Sequence, residues 1–175
     1  IMLVGPNNPT GSYLKRAELA ALERLGLPLI SDEVFADYPL RADPERVHSA
    51  LESETALVFA LDGLSKQCAL PQWKIAWICA RGPAPQLHAA RARLELIADT
   101  YLSVATPTQL ALPRLFELSK PVRAAIQARL ARNLAQLKQA LEQQWAGPSF
   151  ARILQVSRGF SFGYDDSRPM GVRVP

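Results

Sequence analysis

The chain has 175 residues and a net charge of +4, and 49% of it is hydrophobic, so it can bury a sizeable core. Its 9 glycines and 14 prolines are too few for a low-complexity protein, and no purely apolar run exceeds the length of residues 56–61, which is too short to span a bilayer. Many of its basic residues lie in two helix-like stretches, residues 81–93 and 114–138, with no DNA-reading motif, so we interpret them as solvated helix faces and expect no nucleic acid among its partners. We expect no membrane partner either.

Four short β-like runs occupy the first half of the chain: residues 1–4, 27–31, 56–61 and 74–79. Between the first two, leucine spacing predicts a helix over residues 14–25, and Gly26 is placed as its C-terminal stop. A strand, a helix and a strand over about thirty residues form a βαβ unit, so we expect a mostly parallel sheet with helices packed on it. The nearly continuous apolar runs at 56–61 and 74–79 are typical of parallel strands buried on both faces.

The second half is predicted to be mainly helical. Long helices are expected over residues 85–102 and 121–145, separated by residues 105–108 and a shorter helix. In the last helix an apolar stripe recurs at steps of three and four residues: Val122, Ile126, Leu130, Leu134, Leu137, Leu141 and Trp145. Short alternating runs after residue 148 indicate the start of a small α+β portion. The chain opens at Ile1 rather than Met and ends inside a strand-like run, so we expect it to be an internal part of a longer protein.

Polar clusters follow three of the predicted strands, at the ends where open α/β sheets present ligand sites. Residues 5–12 hold an Asn amide in a rigid turn, but they lack the lysine and the glycine spacing of a phosphate or dinucleotide loop. Asp32 ends the second strand, where it suits a helix cap, a metal ligand or a charge partner for a bound cation. The third cluster is Gly-Leu-Ser-Lys at residues 63–66, with Lys74 eight residues further on. Taken singly, none of the three indicates a function.

Together and in this order, Asn-Pro-Thr-Gly, Asp-Glu-Val-aromatic and Ser-Lys resemble the fold type I pyridoxal-phosphate enzymes, and among them the class I and II aminotransferases. The resemblance implies a three-layer α/β/α large domain, part of which would be residues 1–120. Residues 121–175 would be the interdomain helix and the incomplete start of a small C-terminal α+β domain. It also implies pyridoxal 5′-phosphate as cofactor, an amino acid and a 2-oxo acid as substrates, and a homodimer at full length.

The resemblance also assigns roles to the motif residues. Lys66 would hold the cofactor as a Schiff base and then move a proton between the substrate α-carbon and the cofactor C4′. Asp32 would keep the pyridine nitrogen protonated, which makes the ring a stronger electron sink. Asn8 would donate a hydrogen bond to the ring oxygen, and Lys74 would meet the phosphate. With Lys66 and Asp32 as the catalytic pair and no metal, the expected cofactor-binding set is Asn8, Asp32, Phe35, Gly63, Ser65, Lys66 and Lys74.

Three positions depart from the family pattern. Phe35 stands where a Tyr often donates a second hydrogen bond to the ring oxygen, and a shift of three residues gives no reason to assign that bond to Tyr38. Gly63 stands where a phosphate-binding Ser is common, whereas Ser65 comes just before the Schiff-base lysine. Lys74 replaces an Arg, so the charge is kept but the planar bidentate fork is lost, and the phosphate would be held less rigidly.

The sequence leaves more than one function open. The leading hypothesis is a ping-pong aminotransferase. Another fold type I enzyme, a lyase, decarboxylase or synthase, would use the same carbanion, and an aminotransferase-like sensor domain of a transcription regulator is a third reading. The phosphate-cradling loop, the ring-stacking aromatic and the carboxylate-gripping Arg are expected outside residues 1–175, so this segment alone is predicted to be inactive. The two cysteines, Cys68 and Cys79, are too few for a disulfide framework, and we expect a cytoplasmic location.

Overall fold

The computed structural model describes residues 1–40, 42–101 and 103–144. Two 3₁₀ turns, Ala50–Glu52 and Pro71–Trp73, accompany the regular elements. In chain order these elements are β1 (Met2–Val4), α1 (Arg16–Glu23), β2 (Leu29–Asp32), β3 (Val58–Gly63), α2 (Leu64–Gln67), β4 (Ala76–Arg81), α3 (Ala84–Thr100) and α4 (Thr106–Gln144). The strand-like runs predicted after residue 148 lie outside the described residues.

The four strands form one sheet in the order β1-β2-β3-β4. The first three are parallel, which confirms the predicted βαβ unit and the mostly parallel sheet. The prediction that the fourth strand is parallel and buried on both faces is wrong, because β4 runs antiparallel to β3 and most of its side chains are exposed. The reason lies in the connection of residues 64–75, whose α-helix has only four residues, because a crossover between parallel neighbours usually needs a longer helix that packs on the sheet and returns the chain to the other edge.

The end of α1 follows the sequence signal. Gly26 has a φ of +65°, in the left-handed region that favours glycine, and its N–H donates to the Glu23 carbonyl over 3.0 Å. The predicted stop is therefore confirmed. At the other end, the Lys15 main-chain N–H donates to the Glu18 carboxylate over 2.8 Å and so occupies one of the unpaired groups of the first turn.

The long C-terminal helix differs from its prediction. The sequence divides it into a short helix and a helix that starts at Pro121, a residue favoured at the first helical position. In the structure α4 is continuous through both Pro113 and Pro121. Packing explains the difference, because Leu112, Leu115 and Phe116 of this stretch contact a buried cluster near α2, and such contacts outweigh the local cost of a proline.

Two apolar clusters hold the elements together. The first packs α1 and the segment before β3 against one face of the sheet, and its buried members are Leu19, Leu29, Val47, Ala50, Ala56 and Val58. The second contains Leu64, Cys68 and Ile75, against which Trp77 and Phe116 pack with an edge-to-face ring contact of 5.7 Å. The interpretation of Cys68 as a buried small hydrophobic residue is confirmed. This second cluster anchors both ends of the segment that contains Lys66.

No helix among the described residues is long and apolar enough to cross a bilayer.

The first cluster allows a direct test of the fold. Leu29 is fully buried, whereas Leu27, two residues earlier, is 53% exposed. Leu29→Ala is expected to lower the free energy of unfolding by about 2–5 kcal/mol, because it leaves a cavity between α1 and the sheet. Leu27→Ala, the matched control, is expected to change it by less than about 0.5 kcal/mol. Urea unfolding measures both, and equal effects of the two changes would contradict this packing.

Candidate active site

The register of the parallel strands brings the three sequence motifs to one edge of the sheet. Val4 pairs with Asp32, and Asp32 pairs with Leu61, so β1 and β2 end side by side and β3 ends two residues further on at the same edge. The backbone continues this alignment beyond the strands, because the Gly5 N–H donates to the Asp32 carbonyl over 2.9 Å. The loop after β1, the last residue of β2 and the helix after β3 therefore share an edge, as the sequence predicts.

The reversed direction of β4 brings Lys74 to the same edge. Ala76, the first residue of β4, pairs with Gly63, the last residue of β3, so the segment just before β4 lies beside the end of β3. Lys74 is exposed and adopts a left-handed backbone with a φ of +50°. A parallel fourth strand would have started at the opposite edge of the sheet. The antiparallel turn is thus what places a second lysine near Lys66.

The loop after β1 presents an exposed amide. Asn7, not Asn8, holds the loop together, because its N–H donates to the Ser12 carbonyl and its side-chain amide donates to Thr10 Oγ1, both over 2.9 Å. Asn8 is exposed, and its side chain makes no hydrogen bond to the rest of the described chain. The Asn8 amide is therefore available to a ligand.

Asp32 is half-buried at the end of β2. Its Oδ1 accepts a hydrogen bond from the Val34 N–H over 3.2 Å, which turns the chain away from the strand. Within residues 1–40, 42–101 and 103–144 its side chain has no further hydrogen-bond partner. The carboxylate therefore keeps acceptor capacity for a cationic or N–H donor.

Phe35 lies beside Lys66. The Lys66 Nζ is 6.0 Å from the centre of the Phe35 ring, at the outer limit of a cation–π contact. The residue three positions after Asp32 is thus next to the lysine, but its ring has no hydroxyl with which to donate a hydrogen bond. Lys66 is exposed at its side chain.

Tyr38 has a different partner. Its hydroxyl donates to the main-chain carbonyl of Lys66 over 2.6 Å, and burial raises the pKa of this hydroxyl above its ordinary value. Tyr38 is therefore bonded to the lysine's backbone and does not stand in for the hydroxyl that Phe35 lacks. The sequence contains no signal for this contact.

The backbone packed against Gly63 leaves no space for a side chain. A Cβ at this position would lie 2.9 Å from the Ile75 carbonyl oxygen, closer than real Cβ contacts, and a tight 3.2 Å from the Ala76 Cα. The glycine thus allows the start of β4 to approach the end of β3, and the site has no room for a serine there. Ser65, in the first turn of α2, is half-buried next to Lys66.

Two carboxylates of the site were missed by the sequence analysis. Burial raises the pKa of Asp62 to about 6. The Gly63 N–H donates to Asp62 over 2.6 Å and lowers this pKa, whereas three nearby carboxylates raise it further, those of Asp37, Glu33 and Asp32. The Asp37 carboxylate accepts from Arg123 Nη1 over 2.5 Å and from Gln67 Nε2 over 3.5 Å. Asp62 follows an apolar run and is visible as a polar break, but nothing local in the sequence pairs Asp37 with Arg123.

Comparison with known proteins gives relatives along most of the chain. A sequence model of the family described as aminotransferase class I and II matches residues 1–158. Nicotianamine aminotransferase A from Hordeum vulgare is 28% identical over 128 residues, which are 69% of this chain and 27% of that protein. An S-alkyl-thiohydroximate lyase from Arabidopsis thaliana is 31% identical over 128 residues, which are 67% of this chain and 26% of that protein.

The fold has relatives among solved structures. An alanine aminotransferase from Pyrococcus furiosus superposes with a TM-score of 0.67 at 21% sequence identity, over 82% of this chain and 37% of that chain. A likeness at this identity concerns the fold. The chain spans about a quarter of the length of the curated relatives it matches.

The pKa of Asp62 predicts a pH-dependent stability. An Asp titrates near pH 4 in the unfolded chain, whereas Asp62 has a pKa of about 6 in the folded chain. Between these pH values the folded chain binds more protons than the unfolded chain, so its stability falls as the pH rises. Above pH 6 the folded state contains an ionised carboxylate that burial disfavours. Asp62→Asn removes this cost. After discounting for solvent screening, the variant is expected to be more stable than the parent by about 1 kcal/mol at pH 7.5 and by less at pH 4.5. Urea unfolding at both pH values measures this, with Asp99→Asn on the exposed side of α3 as control.

The tight space at Gly63 predicts the effect of restoring the family's serine. Gly63→Ser is expected to lower the free energy of unfolding by about 1–3 kcal/mol, because the new Cβ meets the Ile75 carbonyl. Gly5→Ser is the matched control, since an added Cβ there has nothing within 4 Å. A Gly63→Ser protein as stable as its parent in urea would show that β4 can move aside.

Proposed function

The chain belongs to the class I and II aminotransferases, and from that premise we propose that it uses pyridoxal 5′-phosphate to move an amino group between an amino acid and a 2-oxo acid. The observation that carries the proposal is the convergence of Asn8, Asp32 and Lys66 at the ends of three adjacent parallel strands. Because the chain spans about a quarter of its curated relatives, the activity belongs to the protein at its full natural length.

The side chains at this edge fit the cofactor. Pyridoxal 5′-phosphate presents an aldehyde, a basic ring nitrogen, a ring oxygen and a phosphate. The edge offers a matching set of groups: the exposed amine of Lys66, the available acceptor of Asp32, the exposed amide of Asn8 and the exposed cation of Lys74. When bound, the cofactor supplies an electron-withdrawing ring that stabilises negative charge at the substrate α-carbon.

Asp32 and Lys66 would act on the reacting part of the cofactor and substrate. The Asp32 carboxylate would accept a hydrogen bond from the protonated ring nitrogen and hold that proton in place. The Lys66 Nζ would hold the aldehyde carbon covalently until the substrate amine displaces it. The freed amine would then take the proton from the substrate α-carbon, since it remains next to the reacting atom.

The remaining residues would orient the cofactor. Asn8 would donate a hydrogen bond to the ring oxygen, and Phe35 would pack beside the Lys66 amine and exclude water there without adding a second bond. Lys74 would attract the phosphate as a point charge. Gly63 would let the start of β4 lie close to the end of β3, beside the cofactor. Ser65 would offer its hydroxyl to the cofactor next to Lys66.

The relative from Arabidopsis thaliana supports a second candidate, β-elimination. It is named as a lyase and is 31% identical to this chain. Removal of the α-proton by Lys66 serves both reactions, and they diverge only in the fate of the substrate's β-substituent. Release of a thiol or another leaving group from a β-substituted amino acid, without formation of a new amino acid, would favour elimination.

The proposal includes the wider organisation. Residues 1–120 would belong to the large cofactor-binding domain and residues 121–175 to the interdomain helix and the start of the small domain, a division that falls inside α4. A homodimer is implied by the family resemblance. A cytoplasmic location is supported by the two cysteines, which are both free.

Loss of Lys66 tests the proposal. In the full-length protein, Lys66→Ala is expected to abolish the visible absorption band of covalently held cofactor and to lower transamination by at least about 100-fold, because both the covalent bond and the proton-transferring amine are lost. Lys120→Ala is the matched control, since Lys120 is exposed on α4 and pairs only with Glu117 in the described chain. An unchanged absorption band in Lys66→Ala would refute the assignment.

A further inference from the structure

We propose that Tyr38 is a positioning residue for Lys66, and that the Arg123–Asp37 pair holds Tyr38 in place from α4. The inference rests on the proposed function, because Lys66 has to be the reacting amine. It concerns residues 33–40, the segment that follows Asp32, which we call the β2 loop.

The β2 loop contacts Lys66 at two points. At the backbone, the Tyr38 hydroxyl donates to the Lys66 carbonyl over 2.6 Å. At the end of the side chain, the Phe35 ring lies 6.0 Å from Nζ. The two contacts come from one rigid unit, since the Ala36 N–H bonds to the Glu33 carbonyl and the Tyr38 N–H bonds to the Phe35 carbonyl. A change at Tyr38 therefore reaches both ends of the lysine.

Helix α2 needs such support. It has only four residues, Leu64–Gln67, and so short a helix is not stable through its own hydrogen bonds. The Ala69 N–H reaches the Lys66 carbonyl only at 3.4 Å, whereas the Tyr38 hydroxyl is much closer. Leu64 is buried and holds the start of the helix. The Tyr38 bond is thus the strong polar contact at the lysine itself.

Helix α4 holds the other side of the loop. Arg123 Nη1 donates to the Asp37 carboxylate over 2.5 Å, and Gln127, one turn further along α4, donates to the Asp37 main-chain carbonyl. Asp37 and Tyr38 are adjacent, so these contacts restrain the backbone that places the hydroxyl. The Arg123–Asp37 pair is partly open to solvent and contributes little to stability, which points to a geometric role.

The hydroxyl is a dependable donor. Burial raises the pKa of Tyr38, and the neighbouring Asp37 carboxylate adds to this, although Arg123 opposes it. Tyr38 therefore remains protonated around neutral pH and keeps the bond to Lys66. A covalently held group has to be oriented closely for proton transfer, because small displacements of a reacting amine slow the reaction strongly.

Removal of one hydroxyl tests the inference in the full-length protein with bound cofactor. Tyr38→Phe keeps the ring and is expected to lower kcat about tenfold, with KM for the donor amino acid within about twofold of the parent, because orientation and not substrate binding is impaired. Tyr101→Phe is the matched control, since Tyr101 is 72% exposed at the end of α3. Thermal unfolding of each variant measures any loss of folded protein.

A second readout does not depend on catalysis. In cofactor-free protein, the rate at which trinitrobenzenesulfonate modifies Lys66 is followed by peptide mass spectrometry, with Lys120 as internal reference. Tyr38→Phe is expected to raise the Lys66 rate about threefold relative to Lys120, because the backbone that places the amine beside Phe35 loses its bond to the Tyr38 hydroxyl and the amine becomes more mobile. If kcat and the labelling ratio both equal those of the parent, or if activity falls only in proportion to unfolding while the ratio is unchanged, the positioning role is overturned.

The link to α4 is tested with Arg123. Arg123→Gln is expected to shift kcat and the labelling ratio in the same direction as Tyr38→Phe, and Arg123→Lys is expected to restore both towards the parent because it keeps the charge. Parental values in Arg123→Gln would overturn the link. A Lys66→Ala protein that keeps its absorption band would instead refute the proposed function, and the labelling ratio in cofactor-free protein would still report on Tyr38.

Discussion

The structure depends on the in-register pairing of three short parallel strands. Val4, Asp32 and Leu61 form one row across the sheet, so the segments that follow β1, β2 and β3 all leave from the same edge. A slip of one residue in β2 would turn Asp32 to the opposite face of the sheet and move the buried Leu29 out of the core. The same burial that stabilises the register therefore also aims the carboxylate, and the candidate site is a consequence of the core.

The antiparallel β4 adds a second constraint. Because β4 returns directly from the end of β3, residues 64–75 form a closed loop whose two ends are bound to each other through Gly63 and Ala76. Lys66 and Lys74 lie in this loop and cannot move apart freely. The close approach at Gly63 explains one departure from the family pattern in physical terms, since a side chain there would push the two strand ends apart.

Sequence reasoning recovered what local patterns determine. The strands, the glycine stop of α1 and the order of the motifs were readable because each depends on neighbouring residues. The direction of β4 and the continuity of α4 through Pro121 were not, since packing between distant segments decides them. The contacts of Tyr38 with Lys66 and of Asp37 with Arg123 join residues 28 and 86 positions apart, and a single sequence contains no signal for such pairs.

The charges at this edge explain why one carboxylate among four is suited to a cationic partner. Glu33 accepts from the Ala50 N–H over 2.8 Å, Asp37 is paired with Arg123, and Asp62 accepts from its neighbouring N–H and resists ionisation through burial. Asp32 has a single long bond to the Val34 N–H. The family resemblance implies a protonated ring nitrogen as the partner of Asp32, and this difference supports that proposal, because the carboxylate with the fewest donors gains most from a further one.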